Sequence, residues 1–222
     1  MAAIRGPFCI VAIFAGYLCS STAQAHPHVW ADMQSGIVFT DEGLIKGVDL
    51  EWTFDDAYTQ MALDGLDLDG DGTYSQDELA PLTKENIESL KDYEYFTVMR
   101  ANGEQQKIGE VTEAGQIWSN NRLTLHFQVP LVTPIDPKKV DFMLKVYDPE
   151  FFVDIEYVKD NPADVVGKVP KECKLVLKPV PTDAELDQTR LMLSTKGKDW
   201  KPENNEDFGA MFAQAVLIKC KK

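Results

Sequence analysis

The stretch VWADMQSGIVFTDEGLIKGVDLEWTF, residues 29–54, decides the fold. Two arms rich in β-branched and aromatic residues flank the turn DEG, and the second arm alternates apolar with polar side chains. The apolar positions of that arm are Val48, Leu50, Trp52 and Phe54. Because a period of two is typical of a strand that buries one face, the stretch predicts an antiparallel β-hairpin.

The same kind of pattern recurs along the chain. The turns ANG and NN separate two further pairs of strand-like segments, at 95–111 and 115–131, and asparagine-glycine is a strong hairpin signal. A fourth pair of strands, KVDFMLKVYD and EFFVDIEYV, is separated by Pro149. Two late strands, CKLVLKPV and AVLIKC, contain Cys173 and Cys220. Much of the chain is therefore expected to form antiparallel sheet.

Helices are expected in two places. Residues 55–93 form a helical excursion between the first two hairpins, and the segments TDAELDQTRLML and NEDFGAMFA predict two short helices near the C-terminus. In the first of these segments, Thr182 and Glu185 have the spacing of a capping box. The predicted fold class is α+β, with a single antiparallel β-rich domain over 26–222 that carries the helical insertion at 55–93.

The first 25 residues have the pattern of a secretory signal peptide. Arg5 precedes an apolar run from about Phe8 to Leu18, and small and polar residues lead to AQA, which predicts cleavage after Ala25. The apolar run is shorter than the roughly 20 residues that span a bilayer, which argues against the alternative of a membrane anchor. We therefore expect a periplasmic protein whose mature chain begins at His26.

The net charge of the chain is strongly negative, at −14 for 222 residues. Nucleic-acid binding needs clustered lysine and arginine, so no nucleic-acid partner is expected. The same charge disfavours docking on an anionic bilayer, so membrane contact is expected only through a transporter. An acidic exported chain is suited to attracting cations.

After signal cleavage two cysteines remain, Cys173 and Cys220. In an oxidising compartment, two such cysteines are expected to form one disulfide bond. They are not spaced as Cys-x-x-Cys, and two thiolates alone make a poor zinc site. Redox catalysis is therefore the weaker alternative.

The segment DLDGDGTYSQDE, residues 67–78, resembles the calcium loop of an EF-hand. Calcium takes about six to eight oxygen ligands, and the loop has a suitable residue at every ligand position. The expected ligands are, in loop order, Asp67, Asp69, Asp71, the backbone carbonyl of Thr73, Ser75 and Glu78. Gly72 stands sixth, where the chain turns sharply, and Tyr74 stands eighth, where a sister loop normally pairs. The segment predicts one Ca²⁺ site, and the alternative is coincidental spacing in an acidic surface loop.

Both flanks of this loop have helical patterns, FDDAYTQMALDG before it and QDELAPLTKENIESLKDY after it. The apolar face of the outgoing helix is expected to contain Leu79, Leu82, Ile87 and Leu90. Ser75 and Glu78 also form a capping box for this helix, and Pro81 is expected to kink or restart it. A lone loop is expected to bind Ca²⁺ weakly, with a Kd of about 10⁻⁴ to 10⁻³ M, in a structural role.

Two of the three histidines of the chain stand directly after the predicted cleavage point, in HPHVWAD. The α-amine and imidazole of His26 would form a chelate for Zn²⁺, Ni²⁺ or Cu²⁺, metals that suit imidazole. Pro27 lacks the amide that a square-planar amino-terminal site requires, so the expected site is brace-like and completed by His28 or His126. The alternative is an ordinary chain terminus and a surface histidine.

The order of the motifs HPHVW, VDLEWTFDDAY, LDLDGDG, YEYFT, FQVPL and VYDPEFFVDIEY, followed by paired cysteines, resembles a family of exported bacterial proteins of unknown function. Its members are described as periplasmic components of uncharacterised ABC-type transport systems, and the resemblance covers almost the whole mature chain. The family often occurs beside nickel/cobalt-type or other metal permeases. The resemblance therefore implies a role in metal uptake.

Together these features predict a calcium-binding periplasmic accessory protein that serves zinc-, nickel- or cobalt-type metal uptake with a transporter. The mature chain is short for a two-lobed solute-binding protein and lacks the alternating β–α units of such lobes, which favours an accessory role. The alternative is a calcium-stabilised protein-interaction module without a transition metal, with Tyr74 on its contact face. Catalysis is not expected, because the sequence contains no nucleophile elbow, zinc-protease motif, phosphate-binding loop or dinucleotide fingerprint.

Overall fold

The computed structural model of the chain describes residues 27–180, 184–196 and 207–221. The predicted signal peptide, His26 and the predicted cap Thr182 lie outside these residues. Within them the chain forms a single α+β domain of two mostly antiparallel sheets and a few short helices, which confirms the predicted fold class. None of the described helices is both long and apolar enough to cross a bilayer.

In the described chain, helices interrupt the run of strands twice, after β2 and after β10, and the last element is a strand. They are β1 (Val29–Phe39), β2 (Ile45–Phe54), α1 (Asp56–Leu63), α2 (Gln76–Lys91), a 3₁₀ turn (Glu94–Phe96), β3 (Thr97–Ala101), β4 (Glu104–Gln105), β5 (Ala114–Ser119), β6 (Arg122–Ile135), β7 (Phe142–Val146), β8 (Val153–Tyr157), β9 (Ala163–Val166), β10 (Cys173–Lys178), α3 (Ala184–Leu193), α4 (Gly209–Phe212) and β11 (Ala215–Cys220).

The first sheet is built on the predicted β1–β2 hairpin, which is confirmed. Its strand order is β5-β6-β2-β1, and all of these neighbours are antiparallel. Alternate side chains of β2 face the core, as the period of two predicts, and Trp52 is only 2 % exposed. Phe127 of β6 packs edge-on against the Trp52 ring, with 5.0 Å between the ring centroids.

On the other side of β1, the first sheet is extended by two parallel strands. β8 pairs with the N-terminal half of β1, and β9 pairs with its C-terminal half. The sequence pattern predicts β7 and β8 as a pair, and this prediction is wrong, because β7 lies in the second sheet. The chain changes sheets at a tight turn in which the Asp148 carboxylate accepts hydrogen bonds from the N–H groups of Phe152 and Val153, at 2.9 and 3.0 Å.

The second sheet has the strand order β10-β11-β7-β3-β4. The two predicted late strands are confirmed as an antiparallel pair, β10 and β11, in which Cys173 lies opposite Cys220. These cysteines form the predicted disulfide bond. The second predicted hairpin forms as β3 and β4, although β4 has only two residues.

One cluster of buried apolar side chains draws on both sheets and on the helical insertion. The first sheet contributes Met33 and Leu125, and the second contributes Met99 and Leu144, each no more than 1 % exposed. From α2, Leu79 is 1 % exposed in the same cluster. The insertion is therefore part of the domain's core and not a separate appendage.

Capping side chains define where each of the two helices of the insertion begins. The Asp55 carboxylate caps α1 by accepting from the N–H groups of Ala57 and Tyr58, and the predicted capping box of Ser75 and Glu78 is present at the start of α2. Pro81 lies inside α2, which continues to Lys91 without the predicted restart. The predicted C-terminal helices are also present, as α3 and as the single turn α4.

Asp154 of β8 is a buried carboxyl group, 8 % exposed. It lines the same small cavity as Phe212 of α4. Burial raises the pKa of Asp154 from 3.8 to about 6, the Glu156 carboxylate adds to this rise, and Arg190 opposes it. Because the raised pKa reflects a cost of charging the group in the folded protein, ionised Asp154 destabilises the native state at neutral pH.

Asp154→Asn is expected to raise the free energy of unfolding by about 2 kcal/mol more at pH 7.5 than at pH 4. The folded-state pKa lies above the unfolded one, so the native wild-type protein gains stability as the pH falls through 6 towards 4. The asparagine variant lacks this gain. Urea unfolding at both pH values measures the difference, and Asp160→Asn, at an exposed position just after the same strand, is the control. A difference between Asp154→Asn and wild type that does not change with pH would contradict the prediction.

Candidate metal-binding site

The structure brings three acids of the predicted calcium loop together. Asp67, Asp69 and Asp71 each offer a carboxylate oxygen, and these oxygens all lie within 4.8 Å of one another. In the described part of the chain this is the only group of three or more histidine, cysteine or acidic side chains with such spacing. Asp67 is half-buried and the other two are exposed, so the cluster lies at the surface with one side against the protein.

Hydrogen bonds within the loop turn these carboxylates towards its interior. Asp67 accepts from the N–H groups of Gly70 and Gly72, at 2.8 and 3.1 Å. Asp71 accepts from the N–H and the hydroxyl of Thr73, both at 2.7 Å. Gly72 has a φ of +78°, a left-handed conformation that glycine adopts without the steric cost of a Cβ. The predicted sharp turn at the sixth position is thus present.

Glu78 is the last residue of the predicted calcium loop, and its carboxylate accepts hydrogen bonds from residues of that loop. Its Oε1 accepts from the N–H of Leu68 at 2.8 Å, and its Oε2 accepts from the N–H and the hydroxyl of Ser75, both at 2.8 Å. The bonds from Ser75 and then from Leu68 hold the pKa of Glu78 below its ordinary value, so the side chain is ionised. Glu78 therefore lies at the loop with a charged carboxylate, but it would have to exchange some of these bonds to act as a bidentate ligand.

The predicted calcium loop and the helix α2 that follows it contact β5. Tyr74 packs edge-on against Trp118, with 5.3 Å between ring centroids. Gln76 donates to the backbone carbonyl of Gln116 at 2.8 Å, and Thr83 donates to the side-chain carbonyl of Gln116 at 3.1 Å. At the position where a sister loop would pair in the predicted EF-hand, this segment contacts β5 of the same domain. Tyr74 is half-buried in this contact, so part of its ring stays exposed at the predicted contact face.

The predicted histidine site is not assembled from all of its members. His28 is half-buried at the start of β1, with its ring 4.8 Å from that of Phe152. His126 is exposed on β6, opposite Glu51, which lies opposite Gln34. Gln34 lies six positions along the extended chain from His28, a distance of about 20 Å. His126 is therefore too far away to complete a site with His28, and His26 lies outside the described residues.

The docking residues on β5 are the part of the site that the sequence interpretation missed. Gln116 is 0 % exposed, and it shares a strand face with Trp118, which receives Tyr74. A polar residue at an inward-facing position of a predicted strand was the available signal, because a buried amide needs hydrogen-bond partners from another element. The pattern could not show that α2 would supply those partners.

Comparisons with known proteins support one family assignment. An "Uncharacterized protein" of Haemophilus influenzae is 24% identical over 209 residues, which cover 92% of this chain and 96% of that protein. An "Uncharacterized 15.5 kDa protein in trpE 3'region" of Spirochaeta aurantia is 31% identical over 96 residues, which cover 43% of this chain and 68% of that protein. The family described as "Protein of unknown function (DUF1007)" matches residues 11–220. The chain therefore belongs to the DUF1007 family.

Proposed function

We propose that this protein is a calcium-binding periplasmic accessory protein that serves transition-metal uptake together with a membrane transporter. The observation that carries the calcium proposal is the convergence of the Asp67, Asp69 and Asp71 carboxylates within 4.8 Å. Calcium prefers oxygen ligands, and the loop adds the Thr73 carbonyl, Ser75 and Glu78 as further oxygen donors. The residues present therefore fit this ion.

The proposed role of calcium is structural. Bound Ca²⁺ would offset the mutual repulsion of the loop carboxylates and tie α1 to α2. The contacts of Tyr74 and Gln76 with β5 favour this role, because they anchor the loop to the sheet. A regulatory EF-hand instead exposes an apolar groove when its helices move apart, and here Leu79 of α2 is buried in the common core.

The periplasmic part of the proposal rests on the N-terminal pattern and on the disulfide bond. Stable disulfides are typical of oxidising compartments, and Cys173 and Cys220 are bonded. The transport part rests on the motif resemblance to exported proteins that occur beside metal permeases. The transition-metal ligands in this proposal are the α-amine and imidazole of His26 together with His28, without His126.

A second candidate function is a calcium-stabilised interaction module that has no transition-metal role. Two large apolar side chains of the insertion favour it, since Met61 of α1 is 68 % exposed and Leu68 of the loop is 79 % exposed. Exposed apolar side chains on a loop-bearing unit suit contact with a protein partner. This candidate requires Ca²⁺ binding but no second metal.

Native mass spectrometry of the protein exported to a bacterial periplasm, with Ca²⁺, Zn²⁺, Ni²⁺ and Cu²⁺ offered in turn, tests both candidates. We expect a mature mass that begins at His26, one bound Ca²⁺ and one bound transition metal. Inserting one alanine before His26 removes the amine–imidazole chelate and is expected to abolish only the second metal. His126→Ala is the matched control and should keep both metals. Calcium alone would favour the interaction module, and no calcium would contradict both candidates.

A further inference from the structure

A groove crosses the outer face of the first sheet, on the side away from the core. It is lined by residues of β1, β2 and β6, by the segment 112–114, and by Asn161 and Asp164 near β9. Its volume is about 870 Å³, within the range of small-molecule sites. Gly115 leaves room for the His126 ring on this face, because a Cβ at Gly115 would lie 2.6 Å from that ring.

The charged side chains that line this groove are all acidic. Among the described residues, four acids line it and no lysine or arginine does: Asp49, Glu51, Glu113 and Asp164. Asp49 and Glu51 lie two positions apart on β2, a separation of about 7 Å. Asp164 is aligned with Gly36, which is aligned with Asp49, so two strand spacings of about 10 Å in total separate the two acids. The negative charge is therefore distributed along the groove.

Such spacing does not suit a single metal ion. An ion such as Ca²⁺ holds its ligand oxygens at about 2.3 to 2.6 Å, so those oxygens lie within roughly 5 Å of one another. No three carboxylate or imidazole ligand atoms of the groove meet the 4.8 Å spacing that the calcium loop meets in the described chain. A ligand with several separate positive charges matches the groove better.

Two of the three amide side chains that line the groove, those of Gln34 and Gln128, have their NH₂ groups hydrogen-bonded to the protein. Gln34 donates through Nε2 to the backbone carbonyl of Asn161 at 3.0 Å. Gln128 donates through Nε2 to Oδ1 of Asp49 at 2.7 Å. Each glutamine thus directs its NH₂ group at the protein and keeps a carbonyl oxygen, which only accepts. Carboxylates and amide carbonyls together make a lining that favours ligands rich in N–H donors.

We propose that the groove binds a linear aliphatic polyamine. Ammonium groups only donate hydrogen bonds, which complements the acceptor-rich lining. Amines separated by three or four methylene groups lie about 5 to 6 Å apart in an extended chain, so successive ammonium groups can reach Asp49, Glu51 and Asp164 from one bound molecule. The inference goes beyond the calcium and transition-metal sites and does not depend on either of them.

Isothermal titration of the Ca²⁺-saturated mature protein with spermidine tests this proposal. We expect saturable binding of one molecule, with affinity that increases from putrescine to spermidine to spermine. The double variant Asp49→Asn/Glu51→Gln is expected to weaken spermidine binding by about tenfold. The matched control Asp77→Asn/Glu85→Gln removes the same charge from exposed positions of α2 and is expected to change the affinity less than about twofold.

Three results would overturn the polyamine proposal. The first is spermidine binding that falls equally in both double variants, which would show attraction to net charge alone. The second is the absence of saturable spermidine binding to a wild-type protein whose circular dichroism shows that it is folded. The third is binding of a lysine-rich peptide without binding of spermidine, which would assign the groove to a polypeptide partner.

Discussion

Glu78→Gln is expected to weaken Ca²⁺ binding by about 100-fold or more. The twelfth position of a calcium loop supplies two oxygens and one negative charge to the ion, and glutamine supplies neither the charge nor a second oxygen. The mutation leaves the helix start largely intact, because glutamine can also serve in the capping box that Glu78 forms with Ser75. Titration calorimetry of the mature protein measures the change in Kd.

Asp77→Asn is the matched control for this experiment. Asp77 is the adjacent exposed acid in the first turn of α2, so the variant removes the same charge without removing a predicted ligand. We expect its Kd for Ca²⁺ to stay within about threefold of wild type, since only long-range attraction is reduced. Equal losses in the two variants would contradict a ligand role for Glu78.

The same calcium site should be visible in unfolding. With a Kd of about 10⁻⁴ M, 10 mM Ca²⁺ adds about 2.7 kcal/mol to the free energy of unfolding of the wild-type protein. Glu78→Gln should lose nearly all of this increment. Its stability in chelator should also fall by about 1 to 3 kcal/mol, because the glutamine NH₂ group cannot accept the hydrogen bonds that one Glu78 oxygen accepts from Ser75 or Leu68. A wild-type protein whose unfolding does not respond to 10 mM Ca²⁺ would contradict the proposed structural role of the ion.

The predictable parts of this molecule are those that the sequence encodes locally. The alternation that ends in Trp52 and Phe54 suffices to predict β2 with its buried face, because a single strand displays its own period. The acids of the predicted calcium loop are likewise close together in the chain, and their convergence follows from the loop's turns at Gly70 and Gly72.

The parts that sequence interpretation missed depend on contacts between distant segments. The separation of β7 from β8 depends on which sheet accepts each strand, and neither strand's own pattern contains that information. Likewise, the docking of Tyr74 on Trp118 joins a loop to a strand more than 40 positions away. The distance between His28 and His126 follows from the register of three strands, which no single segment reveals.

Replacing both cysteines, as Cys173→Ser/Cys220→Ser, is expected to lower the free energy of unfolding by about 4 kcal/mol. The bond links residues 47 positions apart, and a cross-link over such a loop restricts the unfolded chain by about that amount in the chain-entropy view. Both cysteines are half-buried, so serine adds only a small further cost. A melting temperature lower by roughly 8 to 16 °C is expected.

The position of the disulfide bond within the second sheet explains why removing it should lower the stability of the whole domain. β11 lies between β10 and β7, and its residues Val216 and Ile218 are at most 1 % exposed in the core. Removing the cross-link therefore weakens the attachment of β11, whose side chains pack in the core between β10 and β7. Reduced wild-type protein should match the double variant in urea unfolding, and both should keep wild-type Ca²⁺ affinity, because the calcium loop docks on β5 of the other sheet. Equal stability of the oxidised and reduced wild-type proteins would refute the stabilising role of the disulfide bond. A loss of Ca²⁺ affinity in the double variant would show that the second sheet also affects the predicted calcium loop.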